Sequence, residues 1–146
     1  NVVHGAQGRG YGAAAWSQSL APRVIRAQAL ECLDRVGLSA IAAQRADSLS
    51  GGQSQRVAIA RALMQQPDIV LADEPAASLD PQAGDEVMQL FAALMRKESK
   101  TVVFTSHNLT HALQFADRVI AIGAGRILLD APADRLKEAE LRGLYA

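Results

Sequence analysis

The most informative part of the sequence is LSGGQSQRVAIARAL, residues 49–63. Ser50 is predicted to be the N-cap of a helix, and Gln53, three residues later, completes a capping box. Gly51 and Gly52 fall in the first turn, where glycine costs an ordinary helix stability. Glycine there lets a ligand approach the bare backbone, and the N–H groups of a helix N-terminus attract phosphate. We therefore predict an anion-binding helix start; the alternative for the glycine pair alone is a capped surface helix.

An apolar run with an acidic end follows this helix. Residues 69–72, Ile-Val-Leu-Ala, are typical of a buried parallel strand, and Asp73 and Glu74 come directly after them. A second apolar run, residues 101–105, is predicted to be the next strand and is followed by His107. Because open α/β sheets bind ligands at the carboxyl ends of their strands, His107 is predicted to belong to a site rather than to an ordinary surface.

The stretch at residues 49–63 closely resembles the signature motif of ABC-type ATPases. The strand at residues 69–72 with its acidic end resembles the family's Walker B motif, Ser78-Leu79-Asp80 resembles the D-loop, and His107 resembles the switch histidine. These motifs stand in the family's order, and the resemblance covers nearly the whole chain. It implies an α/β fold: a partial P-loop NTPase-like domain with a mostly parallel sheet core, flanking helices, a helical subdomain and a C-terminal hairpin.

The resemblance implies a hydrolytic site that uses ATP and Mg²⁺. Asp73 would hold Mg²⁺ through water, since magnesium keeps much of its hydration shell. Glu74 would orient and deprotonate the attacking water, and His107 would contact the γ-phosphate. Such chemistry needs a positioned water and charge stabilisation, with little covalent work by the protein. Without the flanking motifs, the Asp73–Glu74 pair would be interpreted as a polar strand end that caps the next turn.

The resemblance also implies a second nucleotide contact, made across a dimer. Ser50, Gly51, Gly52 and Gln53 would bind the γ-phosphate of a nucleotide held mainly by another subunit. Asp80 would contact the opposite subunit in addition to its predicted role as a helix N-cap. Hydrolysis therefore implies a head-to-tail dimer of two ATPase domains, with transmembrane permease subunits as further partners.

The sequence lacks the phosphate-binding loop of a complete domain in this family. No Gly-Lys pair occurs, and although Gly5 and Gly10 have the separation of such a loop, Tyr11 follows them. We interpret the chain as the C-terminal part of an ATPase domain, with the N-terminal phosphate-loop half absent. Residues 1–66 are then a remnant of the helical signature subdomain, and residues 67–146 are part of a RecA-like core. By itself the chain is predicted to be inactive.

Composition argues against several other classes of protein. Fifteen basic and fifteen acidic residues give a formal net charge of zero, and aromatic residues make up only 4% of the chain. A phosphate-backbone footprint or a base-stacking surface is therefore not indicated, and no nucleic-acid partner is predicted. No apolar run approaches the length of a membrane-spanning helix. The single cysteine, Cys32, excludes an internal disulfide and is predicted to lie in the core.

The remaining elements are predicted from start, stop and periodicity signals. A helix begins at Pro22 and ends before Gly37, and another begins after Asp80 and completes a βαβ unit with the two strands. The other predicted elements are a loop with a short helix at residues 1–21, a helix at 109–116, a hairpin of strands at 119–122 and 126–129, and a final helix that begins at residue 132.

Two segments predict the subtype of ABC ATPase. Residues 76–80 are similar to transporter D-loops, and residues 1–5 with Gly8-Arg9-Gly10 resemble the segment after the Q-loop in phosphonate-importer ATPases. We expect the ATPase subunit of a bacterial-type importer of phosphonate or a related oxyanion, peripheral on the cytoplasmic face of the inner membrane. The alternatives are a non-catalytic truncated remnant and a nucleic-acid-associated ABC ATPase, which the neutral charge disfavours.

Overall fold

The structure is a computed structural model that describes residues 2–9 and 21–144. Within these ranges the chain forms α-helices, strands and short 3₁₀ helices. The α-helices are α1 (Arg23–Arg35), α2 (Gly51–Gln65), α3 (Pro81–Lys97), α4 (Leu109–Phe115) and α5 (Glu138–Gly143). The strands are β1 (Ile69–Ala72), β2 (Thr101–Phe104), β3 (Arg118–Gly123) and β4 (Arg126–Pro132). The 3₁₀ helices are Val2–Arg9, Ser39–Ile41, Ala46–Ser48 and Ala133–Arg135.

The chain falls into two compact units. The first comprises Asn1–Leu71 and Ala76–Val103, and the second comprises Ala72–Pro75 and Phe104–Ala146. The division into residues 1–66 and 67–146, which refers to the subdomains of a complete ATPase domain, stays a prediction. No helix in the described ranges is both long enough and apolar enough to cross a membrane.

The core of the first unit forms where α1, α2, α3 and the 3₁₀ helix Val2–Arg9 pack together. Gly5 makes the closest approach, because a Cβ atom placed on it would lie 2.6 Å from the backbone oxygen of Arg61 in α2. The short helix predicted near the N-terminus is present as the 3₁₀ helix Val2–Arg9. Residues 10–20 of the predicted loop lie outside the described ranges. The largest fully buried side chains of this unit are Ile25, Val36, Met64, Val87, Met88 and Met95.

Helix α1 ends as its sequence predicts. Gly37 has a φ of +74° and donates its N–H to the oxygen of Asp34 at 2.9 Å, while the Leu38 N–H donates to the oxygen of Leu33 at 2.8 Å. These two bonds form a Schellman motif, which favours glycine at the left-handed position. Cys32 is buried on the inner face of α1, and burial raises the pKa of its thiol. The predicted core position of this cysteine is confirmed.

Strand β1, helix α3 and strand β2 form the predicted βαβ unit. β1 and β2 are neighbours in one sheet. The Thr101 N–H donates to the oxygen of Asp68 at 3.0 Å, and the Thr105 N–H donates to the oxygen of Ala72 at 3.0 Å. Both bonds advance in the same direction along the two strands, so the strands are parallel. Their carboxyl ends therefore lie at the same edge of the sheet.

One face of the pair β1 and β2 is exposed, and the other face is covered only in part. Val70 is 8% exposed, whereas Ile69 is 61% and Leu71 is 78% exposed, and Val103 of β2 is 56% exposed. The apolar run predicts a buried strand, and among the described residues of β1 only Val70 is buried. The alternation of side chains along a strand places Ile69 and Leu71 on the face that no described element covers.

Strands β3 and β4 form the predicted antiparallel hairpin. Ala124 and Gly125 at its tip have φ values of 47° and 71°, as in a type I′ turn, whose twist matches that of the strands. Near the open end, the Arg118 guanidinium donates two hydrogen bonds of 2.6 Å to the Asp130 carboxylate. This pairing lowers the pKa of the Asp130 carboxyl group.

The prediction that the last helix begins at Pro132 is wrong. Pro132 ends β4, a 3₁₀ turn follows, and Leu136 has an extended backbone with φ −105° and ψ 146°. Helix α5 begins only after Lys137, whose N–H donates to the Glu140 carboxylate at 3.0 Å. Leu141 is buried, as the apolar periodicity predicts.

Candidate functional site

The start of α2 has the predicted capping box. The Gln53 N–H donates to Oγ of Ser50 at 3.2 Å, and the Ser50 N–H donates to Oε1 of Gln53 at 3.0 Å. Helix geometry provides no intrahelical acceptor for the N–H groups of Gly51 and Gly52 in the same turn. The helix start therefore has the donors that an anion needs.

The two glycines of this turn have different surroundings. A Cβ atom on Gly51 would lie 2.9 Å from Cδ2 of Leu79, so packing against the following turn explains that glycine. A Cβ atom on Gly52 would meet no atom within 4 Å. Gly52 is thus the glycine with open space in front of its backbone.

The structure brings the predicted signature residues together with the D-loop aspartate. Ser50, Gly51, Gly52, Gln53 and Asp80 line one cleft of about 500 Å³ in the first unit. Because Asp80 is the N-cap of α3, the N-termini of two helices, α2 and α3, meet at this cleft. Helix N-termini carry partial positive charge, which suits the cleft to a negatively charged group.

The charged side chains around the cleft are largely paired within the first unit. Arg56, on the wall of the cleft, lies 3.4 Å from the Glu86 carboxylate and donates to the oxygen of Val36 at 3.5 Å. Oδ1 of Asp80 accepts the Ala83 N–H at 3.0 Å, which confirms its predicted capping role. The Asp80 carboxylate is therefore tied to the start of α3.

A second polar cluster, in the second unit, follows the end of β1. The Thr105 hydroxyl donates to Oδ1 of Asp73 at 2.6 Å, and the hydroxyl oxygen of Thr105 accepts the Glu74 N–H at 2.9 Å. Glu74 has a φ of +44°, in the left-handed region that a non-glycine residue seldom adopts. Left-handed residues held by their surroundings cluster at functional sites.

The carboxylate of Glu74 meets the predicted switch histidine. Oε2 of Glu74 lies 2.8 Å from Nδ1 of His107, and the His107 side chain is 76% exposed. When Nδ1 carries the proton of this bond, Nε2 is the ring nitrogen left for another partner. Asp73, Glu74 and His107 thus lie together at one strand edge, as predicted.

The surroundings of Asp73 fit a magnesium ion that keeps water ligands. Only one of the two Asp73 oxygens accepts the Thr105 hydroxyl. No group of three His, Cys, Asp or Glu side chains able to hold a metal occurs in residues 2–9 and 21–144. Proteins often bind Mg²⁺ through one or two carboxylates, with waters and substrate phosphates as the other ligands. An accessible carboxylate of this kind is what Asp73 offers.

Sequence reasoning missed Thr105 as a member of this site. Thr105 lies two positions before His107, just after β2 ends, and the strand beside β2 is β1, which ends one residue before Asp73. A hydroxyl at the carboxyl end of one parallel strand, beside a carboxylate at the end of the next, was the available signal.

The sequence has known relatives. Residues 8–77 match the family model described as ABC transporter. The chain is 52% identical over 118 residues to the phosphonates import ATP-binding protein PhnC 1 of Pseudomonas aeruginosa (strain UCBPP-PA14), a match that covers 81% of this chain and 42% of that protein. The chain spans about half the length of the curated relatives it matches.

Two solved structures share the fold. An inward-facing ABC transporter described as of metal-chelate type superposes with a TM-score of 0.85 at 27% identity, covering 99% of this chain and 56% of that one. A dimeric ATP-binding cassette in a post-hydrolysis state, bound to ADP and Pi, superposes with a TM-score of 0.69 at 34% identity, covering 91% of this chain and 56% of that one. A chain with these motifs, this fold and these relatives belongs to the ATP-binding proteins of the ABC transporter family.

Proposed function

We propose that this chain is part of the ATP-hydrolysing subunit of an ABC importer. The observation that carries the proposal is the contact of 2.8 Å between the Glu74 carboxylate and His107. The contact lies at the carboxyl ends of two parallel strands, beside an aspartate suited to Mg²⁺. Phosphoryl transfer to water needs such parts: a base, a contact for the γ-phosphate and a metal ligand.

Each residue of the hydrolytic site takes one role in this proposal. Oε2 of Glu74 is engaged with His107, so its Oε1 orients the attacking water and accepts the proton. His107 directs Nε2 to the γ-phosphate. Asp73 would hold Mg²⁺ through water, and the ion would supply positive charge that neutralises charge on the phosphate oxygens.

The signature cleft acts on a second nucleotide, one held mainly by another ATPase domain. The N–H groups at the start of α2, with Ser50 and Gln53, bind its γ-phosphate, and Asp80 contacts the opposite domain. Two helix N-termini at the cleft and the open space before Gly52 support this assignment. The dimeric state of the similar ATP-binding cassette bound to ADP and Pi supports a dimer of ATPase domains, which we propose is head-to-tail.

The proposed cargo is phosphonate or a related oxyanion, because the sequence is about half identical to a protein named for phosphonate import. Transmembrane permease subunits would dock on the helical part of the first unit and hold the ATPase at the cytoplasmic face of the inner membrane. A groove of about 750 Å³ beside α1, lined largely by apolar side chains such as Leu30, Leu33 and Leu38, supports such docking.

The hydrolytic assignment is tested in a complemented protein. In it, the N-terminal part of the Pseudomonas aeruginosa relative, up to the position equivalent to Asn1, is fused in front of this chain. Glu74→Gln should lower the rate of ATP hydrolysis by about 100-fold or more, since it removes the base, and leave ATP binding intact. Glu138→Gln, which alters only a surface pair with Arg142, is the matched control and should keep the parent rate.

Two results would contradict the proposal. The first is a complemented protein that binds ATP but shows no hydrolysis above a buffer control. The second is a Glu74→Gln protein that keeps half of the parent rate, because a base that contributes so little is not the base. Cargo is tested separately, by phosphonate uptake in cells that carry the complemented protein in place of their own phosphonate-import ATPase.

A further inference from the structure

We propose that Thr105 is a positioning residue for hydrolysis, whose hydroxyl fixes Asp73 and Glu74 relative to each other. This inference rests on the proposed ATPase function. Thr105 touches neither nucleotide nor water in the proposal, and it acts through the two carboxylates.

The hydroxyl of Thr105 is both donor and acceptor at the end of β1. It donates to Oδ1 of Asp73 at 2.6 Å and accepts the Glu74 N–H at 2.9 Å. The Thr105 N–H in turn donates to the oxygen of Ala72 at 3.0 Å. Thr105, which directly follows β2, therefore forms hydrogen bonds with three successive residues of the neighbouring segment.

These bonds explain how Glu74 keeps an unfavourable backbone. A φ of +44° is disfavoured for a residue with a Cβ atom, so an interaction of the surrounding structure must hold it. The described structure gives the Glu74 N–H one acceptor, the Thr105 hydroxyl. The same backbone conformation carries the Glu74 carboxylate to His107 at 2.8 Å.

Loss of the hydroxyl should affect chemistry more than nucleotide binding. Without it, the Glu74 backbone can relax toward negative φ, and its carboxylate leaves the position beside His107. The signature cleft shares no residue with this cluster, so contacts of the nucleotide there are unchanged. Because a small misplacement of a catalytic group costs rate rather than affinity, the turnover number should fall and the KM should not.

Substitutions at Thr105 can separate the hydroxyl from the fold. Thr105→Val keeps the shape and the backbone bond to Ala72 but removes the hydroxyl, and Thr105→Ser keeps the hydroxyl. Thr105→Ala removes both the hydroxyl and the branch, and it serves as a second test should valine disturb folding. Thr101→Val, at the other end of β2, is the matched control, since the hydrogen bonds that the described structure gives Asp73 and Glu74 do not involve Thr101.

The first measurement uses the chain itself and needs no ATP. Hydrogen exchange of the Glu74 amide is followed by mass spectrometry with fragmentation that resolves single residues. Thr105→Val should speed this exchange by about tenfold or more, because the amide loses its acceptor, while Thr101→Val and Thr105→Ser should stay near the parent rate. Unchanged exchange in Thr105→Val and Thr105→Ala would overturn the inference.

The second measurement uses the complemented protein. Thr105→Val should lower kcat by roughly 10- to 100-fold and leave KM within about twofold, and Thr105→Ser should recover most of the rate. A Thr105→Val protein that matches Thr101→Val in kcat, or a serine variant that recovers nothing, would overturn the positioning role. If the parent itself does not hydrolyse ATP, the proposed function fails, and the amide exchange alone decides on Thr105.

Discussion

Gly52→Ala should strengthen the fold slightly and weaken hydrolysis. Alanine favours a helix over glycine, whereas a methyl group on the open side of the signature turn would obstruct a bound phosphate. A substitution that raises the free energy of unfolding but lowers the rate of hydrolysis indicates that the residue serves ligand binding rather than packing.

The expected gain in stability follows from the space around Gly52. No atom lies within 4 Å of an added Cβ, and the residue is already helical, so alanine needs no rearrangement. Alanine in place of glycine is worth about 0.5–1 kcal/mol inside a helix. Gly52 lies in the first turn, so we expect about 0.5 kcal/mol, the lower end of this range.

The expected loss of activity follows from the direction of the new bond. Cα–Cβ bonds of a helix tilt toward its N-terminus, which is the side from which an anion approaches the N–H groups. Loss of one hydrogen bond to a charged group costs about 1.5–3 kcal/mol. If the bond forms in the transition state, the turnover number should fall roughly 10- to 150-fold.

Two other glycines provide matched controls. Gly143→Ala, in α5, also places its Cβ with no atom within 4 Å, and it should change stability slightly without changing hydrolysis. Gly51→Ala must displace the end of the Leu79 side chain from 2.9 Å, at a cost of about 0.5–1.5 kcal/mol that offsets the gain in helix propensity.

Urea unfolding of the chain measures stability, and steady-state ATP hydrolysis by the complemented protein measures activity. A Gly52→Ala protein that hydrolyses ATP at the rate of the Gly143→Ala control would refute the role of this backbone in anion binding. A loss of more than about 1 kcal/mol in the unfolding free energy would refute the open space before Gly52, because only a clash produces it.

Three further predictions follow from other parts of the chain. The chain alone should show no steady ATP turnover and at most weak ATP binding, since it has no Gly-Lys loop; calorimetric binding in the low micromolar range would contradict this. It should also self-associate through the open face of β1, so Leu71→Lys should reduce association in sedimentation velocity while Val24→Lys, at an exposed position on α1, should not. Gly5→Ala should lower the unfolding free energy by about 1–3 kcal/mol in urea, because the backbone of Arg61 cannot move away from the added methyl group; an unchanged midpoint would show that the 3₁₀ helix is not packed there.

Local rules account for what the sequence predicted well. Ser50 and Gln53 form their capping box, Gly37 takes the left-handed position after α1, and the hairpin tip adopts positive φ at Ala124 and Gly125. Each of these features depends on residues a few positions apart, so their types determine the geometry. The polar edge with Asp73, Glu74 and His107 was predictable for another reason, since parallel strands bring their carboxyl ends together.

Contacts between distant segments account for what the sequence did not predict. Gly51 is explained by Leu79, and nothing in the motif itself reveals that packing. The run Ile69–Ala72 is apolar throughout, which cannot distinguish a strand covered on both faces from one with an open face. The predicted start of the last helix is wrong because proline occurs at strand ends and sheet edges as well as at helix starts, and Pro132 ends β4.

The adjacent residues Asp73 and Glu74 show which part of the site geometry the sequence motif does not specify. In an extended strand, Asp73 and Glu74 would point to opposite faces, and only one of them could reach the neighbouring strand's end. The positive φ of Glu74 breaks this alternation: its N–H meets the Thr105 hydroxyl that also holds Asp73, and its carboxylate meets His107. The motif specifies the two acids, and the left-handed residue lets both act at the same edge. The Thr105 hydroxyl, just beyond the next strand, therefore contributes to the proposed chemistry by positioning the two acids.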